Sequence, residues 1–201
     1  MSTATAHGDG GAARRLDRAQ SMLLVIDVQE RLAPHVLPGE ALIARIGALM
    51  AAARRFGVPV LATEHCPDQI GPLVASLRPQ FQDGEIFEKT HFGATDHPEF
   101  VAKVDAHGAR QIVVAGMEAH VCVMQTVLGL AARGHAVTLV GDATGSRAAR
   151  QDDRSFAFDR MRRAGVVIAG TETVIFEWTQ AGDDVVFRDV LRIVKSLPPS
   201  A

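Results

Sequence analysis

The sequence predicts an α/β protein, a three-layer α/β/α Rossmann-like sandwich built on a parallel sheet. Three observations carry that expectation. Short, continuous apolar runs recur along the chain, segments with helical spacing separate them, and glycines fall where those helices should end. Apolar runs of this length mark strands buried on both faces. Parallel neighbours need long right-handed crossovers, and helices supply them. In such sheets ligands bind beyond the carboxyl ends of the strands, so residues just after strands are the first candidates for chemistry.

The elements follow in order. SMLLVID (21–27) is an apolar run that ends in a carboxylate and opens the sheet. A helical segment over 39–56 leads to VPVLATE (58–64), with Gly57 placed for a C-terminal cap. From Cys66 to Gly84 the chain carries Pro67, Gly71, Pro72 and Pro79, which predicts a loop with a short helical piece that could cover a site. EIFEK (85–89) is the next strand, followed by a helix over 97–107 that stops at Gly108. RQIVVAGM (110–117), a helix over 119–134, AVTLVGDA (136–143), a helix over 147–164 and GVVIAGT (165–171) continue the alternation. Ser146-Arg147 should open the fourth helix, with serine as its N-cap. TETVIFEW (171–178) reads as a final strand before a last helix over 183–196, with Phe176, Trp178 and Phe187 spaced for packing or a subunit contact. No internal repeat or linker divides the chain. Residues 20–201 are therefore expected to form one domain, after a flexible N-terminal arm over 1–19.

Composition narrows the function. Hydrophobic residues make up 47% of the 201 and charged residues 22%, an ordinary globular balance. A formal charge of −2 argues against a nucleic-acid partner, which needs a concentrated basic surface. No apolar segment approaches the roughly 20 residues needed to span a bilayer, and the start of the chain lacks the apolar centre of a signal peptide. A cytoplasmic protein with no membrane partner is expected. With two cysteines, Cys66 and Cys122, the expectation is free thiols rather than a disulfide framework. His65, Cys66, His91 and His120 lie near strand ends, but none forms a close ligand pair, and His91 and His97 are six apart across a loop. No metal and no cofactor are expected.

Three polar residues end or follow three different strands: Asp27, Lys89 and Cys122, separated by 62 and 33 residues. The fold would bring all three to one edge of the sheet. A thiolate is favoured by a neighbouring cation and by a helix N-terminus, and Cys122 is predicted to begin a helix. Lys89 could stabilise that thiolate, while Asp27 could accept its proton and return it to a leaving amine. Each residue also has a plainer reading. Cys122 could be a small core hydrophobe, Asp27 a loop cap and Lys89 an exposed strand-end charge.

Four stretches, LLVIDVQE, FEKTHFGA, VVAGMEAHVCVMQT and VGDATGSR, resemble the signature segments of the isochorismatase-like cysteine hydrolases, in that family's order and spacing from about Met22 to Val194. The resemblance implies a six-stranded parallel sheet and an Asp–Lys–Cys triad, here Asp27, Lys89 and Cys122. It also implies a cis peptide at Met117–Glu118, with the backbone N–H groups of Glu118 and Cys122 as oxyanion-hole donors. Isochorismatases proper lack the cysteine, so Cys122 favours amide or carbamoyl hydrolysis through a thioester over vinyl-ether cleavage. Nicotinamidases carry an Asp-x-His metal motif that ATEHCPDQIGPL does not reproduce. The chain is more similar to the compact hydrolases of the family whose substrates are poorly defined.

The expected function is hydrolysis of a small amide or carbamoyl C–N bond. Glu64, His65, Phe92, Met117 and His120 are the expected pocket lining, with core packing the alternative for Phe92. The expected partners are a small-molecule substrate and, by resemblance, further copies of the chain. Two other readings stay open: a noncatalytic binding or scaffold protein on the same fold, and a thiol-redox protein using Cys66 and Cys122.

Overall fold

The computed structural model describes residues 15–183 and 185–199. A central sheet separates two helical layers. Its strands are β1 (Ser21–Ile26), β2 (Val36–Leu37), β3 (Val60–His65), β4 (Ile86–Lys89), β5 (Gln111–Met117), β6 (Ala136–Arg147) and β7 (Val167–Ala169). The helices are α1 (Gly39–Phe56), α2 (Pro67–Ile70), α3 (Pro98–Ala106), α4 (Met124–Ala132), α5 (Gln151–Arg163), α6 (Thr171–Thr179) and α7 (Phe187–Lys195).

The alternation of side chains along β1 explains why its run is continuously apolar. Leu23 and Val25 pack with residues of α1, α6 and α7, whereas Met22, Leu24 and Ile26 pack with residues of α3, α4 and α5. Both faces are covered, so no position of the strand meets water. β1 lies between β5 and β3, pairing Ser21–Ile26 with Gln111–Gly116 and Leu23–Ile26 with Val60–Thr63. β4 flanks β3, and β6 flanks β5. The carboxyl ends of β1, β3, β4 and β5 therefore share one edge.

The sheet corrects the expectation of six parallel strands. The six expected strands pair in parallel, but β2 is a seventh, antiparallel to the end of β6 through Val36–Arg147 and Leu37–Ser146. It arises because β6 overshoots the predicted end at residue 143 and continues to Arg147, past a shift in register opposite Val114 and Gly116. Ser146 is thus a strand residue, not the N-cap of a helix. α5 begins at Gln151 after a 3-10 turn over Ala148–Arg150. TETVIFEW is the other correction, since it forms α6 rather than a strand. Its buried residues Thr171, Val174, Ile175 and Trp178 follow helical spacing, and Asp142 Oδ1 accepts bonds from the Thr171 N–H (2.8 Å) and hydroxyl (2.9 Å) at its start.

Most of the expected arm, residues 1–14, lies outside the described residues. Residues 15–17 are anchored rather than loose. The Gln111 side chain accepts from the Asp17 N–H at 2.7 Å and donates to the Arg15 carbonyl at 3.1 Å, and Glu177 accepts from the Leu16 N–H at 2.8 Å. No helix among the described residues is long and apolar enough to cross a membrane.

Candidate active site

Asp27 stands one residue beyond β1, with its backbone in the left-handed region at φ 50°. That conformation costs a non-glycine residue roughly 1–3 kcal/mol, and the surrounding bonds hold it. The Asp27 N–H donates to the Thr63 carbonyl at 3.1 Å, and the Gln29 N–H donates back to the Asp27 carbonyl at 2.9 Å. The carboxylate is almost wholly enclosed. Its Oδ1 accepts the Thr63 hydroxyl at 2.6 Å and its Oδ2 accepts Lys89 Nζ at 2.7 Å. Lys89 ends β4 and donates also to the His91 and Phe92 carbonyls, each at 3.2 Å. Neither charge of the pair is more than 1% exposed.

Cys122 lies in a π turn over Ala119–Val123 that leads from β5 into α4. Gly116 brings this turn close to β1. A Cβ at Gly116 would stand 2.1 Å from the Ile26 carbonyl oxygen, and its φ is 135°, so only glycine lets β5 pass β1 here. The peptide Met117–Glu118 is cis. Both members of the buried ion pair act on the thiol. Burial pushes the Cys122 thiol above its ordinary range, the Asp27 carboxylate pushes the same way, and Lys89 pulls it back. Burial and the neighbouring carboxylate thus both favour the protonated thiol.

The expected pocket residues divide. His65 faces the pair across the β3–β4 ladder, where it is the register partner of Lys89. Its ring stacks on the half-exposed Phe92, with centroids 5.1 Å apart. His120 is partly exposed, and its Nδ1 is 3.0 Å from Ser146 Oγ. Glu64 and Met117 depart from the expectation. The Glu64 carboxylate is committed to the Leu73 N–H at 2.7 Å and to the Arg78 guanidinium, so it pins the loop after β3 instead of facing a ligand. Met117 is fully buried in the core against the α1 side. Glu118 is likewise committed, accepting the Arg147 N–H at 3.0 Å and its Nε at 2.9 Å. Cys66 and Cys122 are both free thiols. Cys66 turns the chain at φ 40° and donates its N–H to the Lys89 carbonyl at 2.9 Å.

Two site residues escaped the sequence. Thr63 orients Asp27, and Gln29 clamps the backbone of the loop. Gln29 Oε1 accepts the His65 N–H at 2.8 Å, while Nε2 donates to the His65 carbonyl at 3.0 Å and the Gly71 carbonyl at 2.6 Å. A buried glutamine within LLVIDVQE was the available signal. Among the described residues, no group of three or more His, Cys, Asp or Glu is arranged to hold a metal ion. A cleft of about 860 Å³ opens at the opposite edge of the sheet, near the starts of β5 and β6, and takes in none of Asp27, Lys89 and Cys122.

An isochorismatase domain model matches residues 21–173. The chain belongs to the isochorismatase family. Among curated members of the isochorismatase family, it is 31% identical over 184 residues to isochorismatase domain-containing protein 1 of Salmo salar, covering 91% of this chain and 64% of that protein. The chain thus spans under two thirds of the length of that relative. Among solved structures, MAR1 ribonuclease from Caenorhabditis elegans superimposes with a TM-score of 0.86 at 31% identity, covering 94% of this chain and 96% of that one. The YcaC protein gives a TM-score of 0.86 in two structures. The one from Pseudomonas aeruginosa, described with hexane-2,5-diol and covalent acrylamide, is 27% identical and covers 93% of each chain. The one from Escherichia coli, described as an octameric hydrolase of unknown specificity, is 28% identical and covers 92% of this chain and 91% of its own. The family match and these superpositions agree with the α/β architecture described above.

Proposed function

We propose that the chain is a cysteine hydrolase that cleaves a small amide or carbamoyl C–N bond through a thioester on Cys122. The observation that supports it best is the enclosed Asp27–Lys89 pair, both of whose charges act on the Cys122 thiol. A structural thiol gains nothing from two buried charges. A nucleophile gains a proton acceptor in Asp27 and, in Lys89, a cation that stabilises the thiolate once the proton has moved.

In this mechanism Cys122 Sγ attacks the carbonyl carbon as Asp27 takes the thiol proton. The carbonyl π pair moves to oxygen, where the backbone N–H groups of Glu118 and Cys122 are the proposed donors. Collapse of the adduct breaks the C–N bond, and Asp27 returns its proton to the leaving nitrogen. Water then attacks the thioester, its proton passing to Asp27 and on to the departing sulfur. The acid product leaves and the thiol is restored. No cofactor takes part. Covalent acrylamide in the P. aeruginosa neighbour fits a nucleophilic site of this kind. Phosphodiester cleavage, suggested by the name of the C. elegans neighbour, is less favoured: the buried cation of this site is already neutralised by Asp27. The octameric E. coli neighbour supports assembly of this chain into a homo-oligomer.

The test is a screen of small amides and carbamoyl compounds with Cys122→Ala as control and mass spectrometry of the protein. Acylated Cys122 and loss of turnover in the variant are expected. Hydrolysis that persists in Cys122→Ala would overturn the mechanism.

A further inference from the structure

The loop after β4 lies outside the sheet, yet it holds Lys89. Residues Thr90, His91 and Phe92 are exposed, and the carbonyls of His91 and Phe92 each accept from Lys89 Nζ at 3.2 Å. With Asp27 Oδ2 at 2.7 Å, these are three acceptors around an ammonium that carries three hydrogens. Where the two carbonyls stand therefore decides where the cation stands.

One imidazole fixes that loop. His97, half-buried ahead of α3, turns its Nε2 back toward the end of β4. There Nε2 accepts the Thr90 and His91 N–H groups at 3.3 Å each and stands 3.0 Å from His91 Nδ1. Backbone N–H groups can only donate, so Nε2 is the unprotonated nitrogen of His97 and the proton of that ring sits on Nδ1. The contact between the two rings then has one sense, with His91 Nδ1–H donating to His97 Nε2. Phe87 meets the His97 ring edge-on at 5.7 Å and also packs on Phe100, which is fully buried, so the acceptor is steadied from the core. Two histidines six apart across a loop, unsuited to a metal, instead form a clasp.

We propose that His97 is a positioning residue for the reaction at Cys122: its Nε2 clasps the Thr90–His91 backbone, and the loop so held fixes Lys89 Nζ beside Asp27. This rests on the cysteine-hydrolase reading above, in which Lys89 stabilises the thiolate, and it names the group that keeps that cation in place. A charge used in chemistry must be held to within about 0.5 Å, and supporting hydrogen bonds of this kind supply that precision. His97 acts through the His91 and Phe92 carbonyls rather than on the thiol itself.

The experiment reads two quantities in the full chain. One is the rate at which iodoacetamide labels Cys122, followed by peptide mass spectrometry that separates it from Cys66. The other is the nitrogen NMR signal of the Lys89 ammonium. His97→Leu removes the acceptor, and His97→Phe removes it while keeping a ring against Phe87, should the first variant perturb folding. His97→Gln supplies an acceptor again, because a Gln Oε1 sits the same number of bonds from the backbone as Nε2. His97→Leu and His97→Phe should each slow Cys122 labelling by about three- to tenfold, the yield of one hydrogen bond, and shift the Lys89 signal. His97→Gln should label within about twofold of the wild type and leave the Lys89 signal in place. Labelling unchanged in both His97→Leu and His97→Phe would overturn the proposal while leaving the nucleophile standing. A loss that His97→Gln does not restore would assign the effect to ring packing and overturn it as well. A Lys89 signal unmoved in His97→Leu and His97→Phe would show that His97 does not act through the cation, with the same consequence. If iodoacetamide does not label Cys122 in the wild type, the hydrolase reading fails and this one falls with it.

Discussion

Replacing Lys89 by Met would leave the Asp27 carboxylate buried with the Thr63 hydroxyl but without its cation. Both side chains of the pair are at most 1% exposed, so water cannot take over the ammonium's role. The His91 and Phe92 carbonyls would lose a donor at the same time. Breaking a buried pair by removing one partner typically costs about 3–5 kcal/mol, because the remaining charge is uncompensated. In a chain of 201 residues, at roughly 2–4 °C per kcal/mol, this corresponds to a fall in Tm of about 6–20 °C. The double variant Lys89→Met/Asp27→Asn removes both charges and keeps an acceptor for Thr63. It should be more stable than Lys89→Met alone by at least about 1 kcal/mol, a coupling of the size expected for residues in contact. Urea unfolding of the wild type, both single variants and the double variant, at one protein concentration, measures this directly. A cost below about 1 kcal/mol for Lys89→Met, or simple additivity in the double variant, would refute the view that the pair is buried and coupled.

Two further predictions concern the approach of β5 to β1 and the proton on Cys122. Gly116→Ala should yield little folded protein, since its Cβ would meet backbone at 2.1 Å, whereas Gly47→Ala, inside α1 with its nearest neighbour at 3.7 Å, should gain about 0.5–1 kcal/mol; thermal unfolding of the two compares them. Alkylation of Cys122 by a neutral reagent should vary little between pH 6 and 9. The thiol is raised by burial and by Asp27, so over this range bulk solvent does not deprotonate it, and the proton moves within the site to Asp27 at constant total protonation. A rate that climbs tenfold per pH unit would show deprotonation by solvent and exclude Asp27 as the base.

That Asp27, Lys89 and Cys122 share one edge was legible in the sequence because each ends or follows a strand, and the parallel pairing of β1, β3, β4 and β5 sends those ends the same way. The parts that were not legible depend on distant partners. TETVIFEW is rich in β-branched and aromatic residues, which suit a strand locally, but Asp142 caps its start from 29 residues away and turns it into α6. In GDATGSR the strand is expected to end at residue 143 and a helix to open at Ser146-Arg147, because serine is a good N-cap. The segment is held extended as the end of β6 by Gly116 and Met117 on β5 and by Val36 and Leu37 on β2. Glu64 follows an apolar strand as a ligand-facing residue would, and only the fold shows Arg78 and the Leu73 N–H waiting for it. Gln29 and Thr63 carry no motif of their own, since their value lies in which backbone and carboxylate atoms they reach.

The central place of β1 sets the order in which the chain can be completed during synthesis. One edge of β1 waits for β3 and the other for β5, whose first residue, Gln111, pairs with Ser21 across 90 residues. At about 5–20 residues per second, the segment SMLLVI spends roughly 5–18 seconds outside the ribosome with one edge unmatched. An apolar strand with open N–H and C=O groups is prone to pairing with other chains for that time. Slowing translation between β3 and β5 should therefore lower the yield of soluble protein, and the edge that carries Asp27, Lys89 and Cys122 is assembled only after β5 has closed on β1.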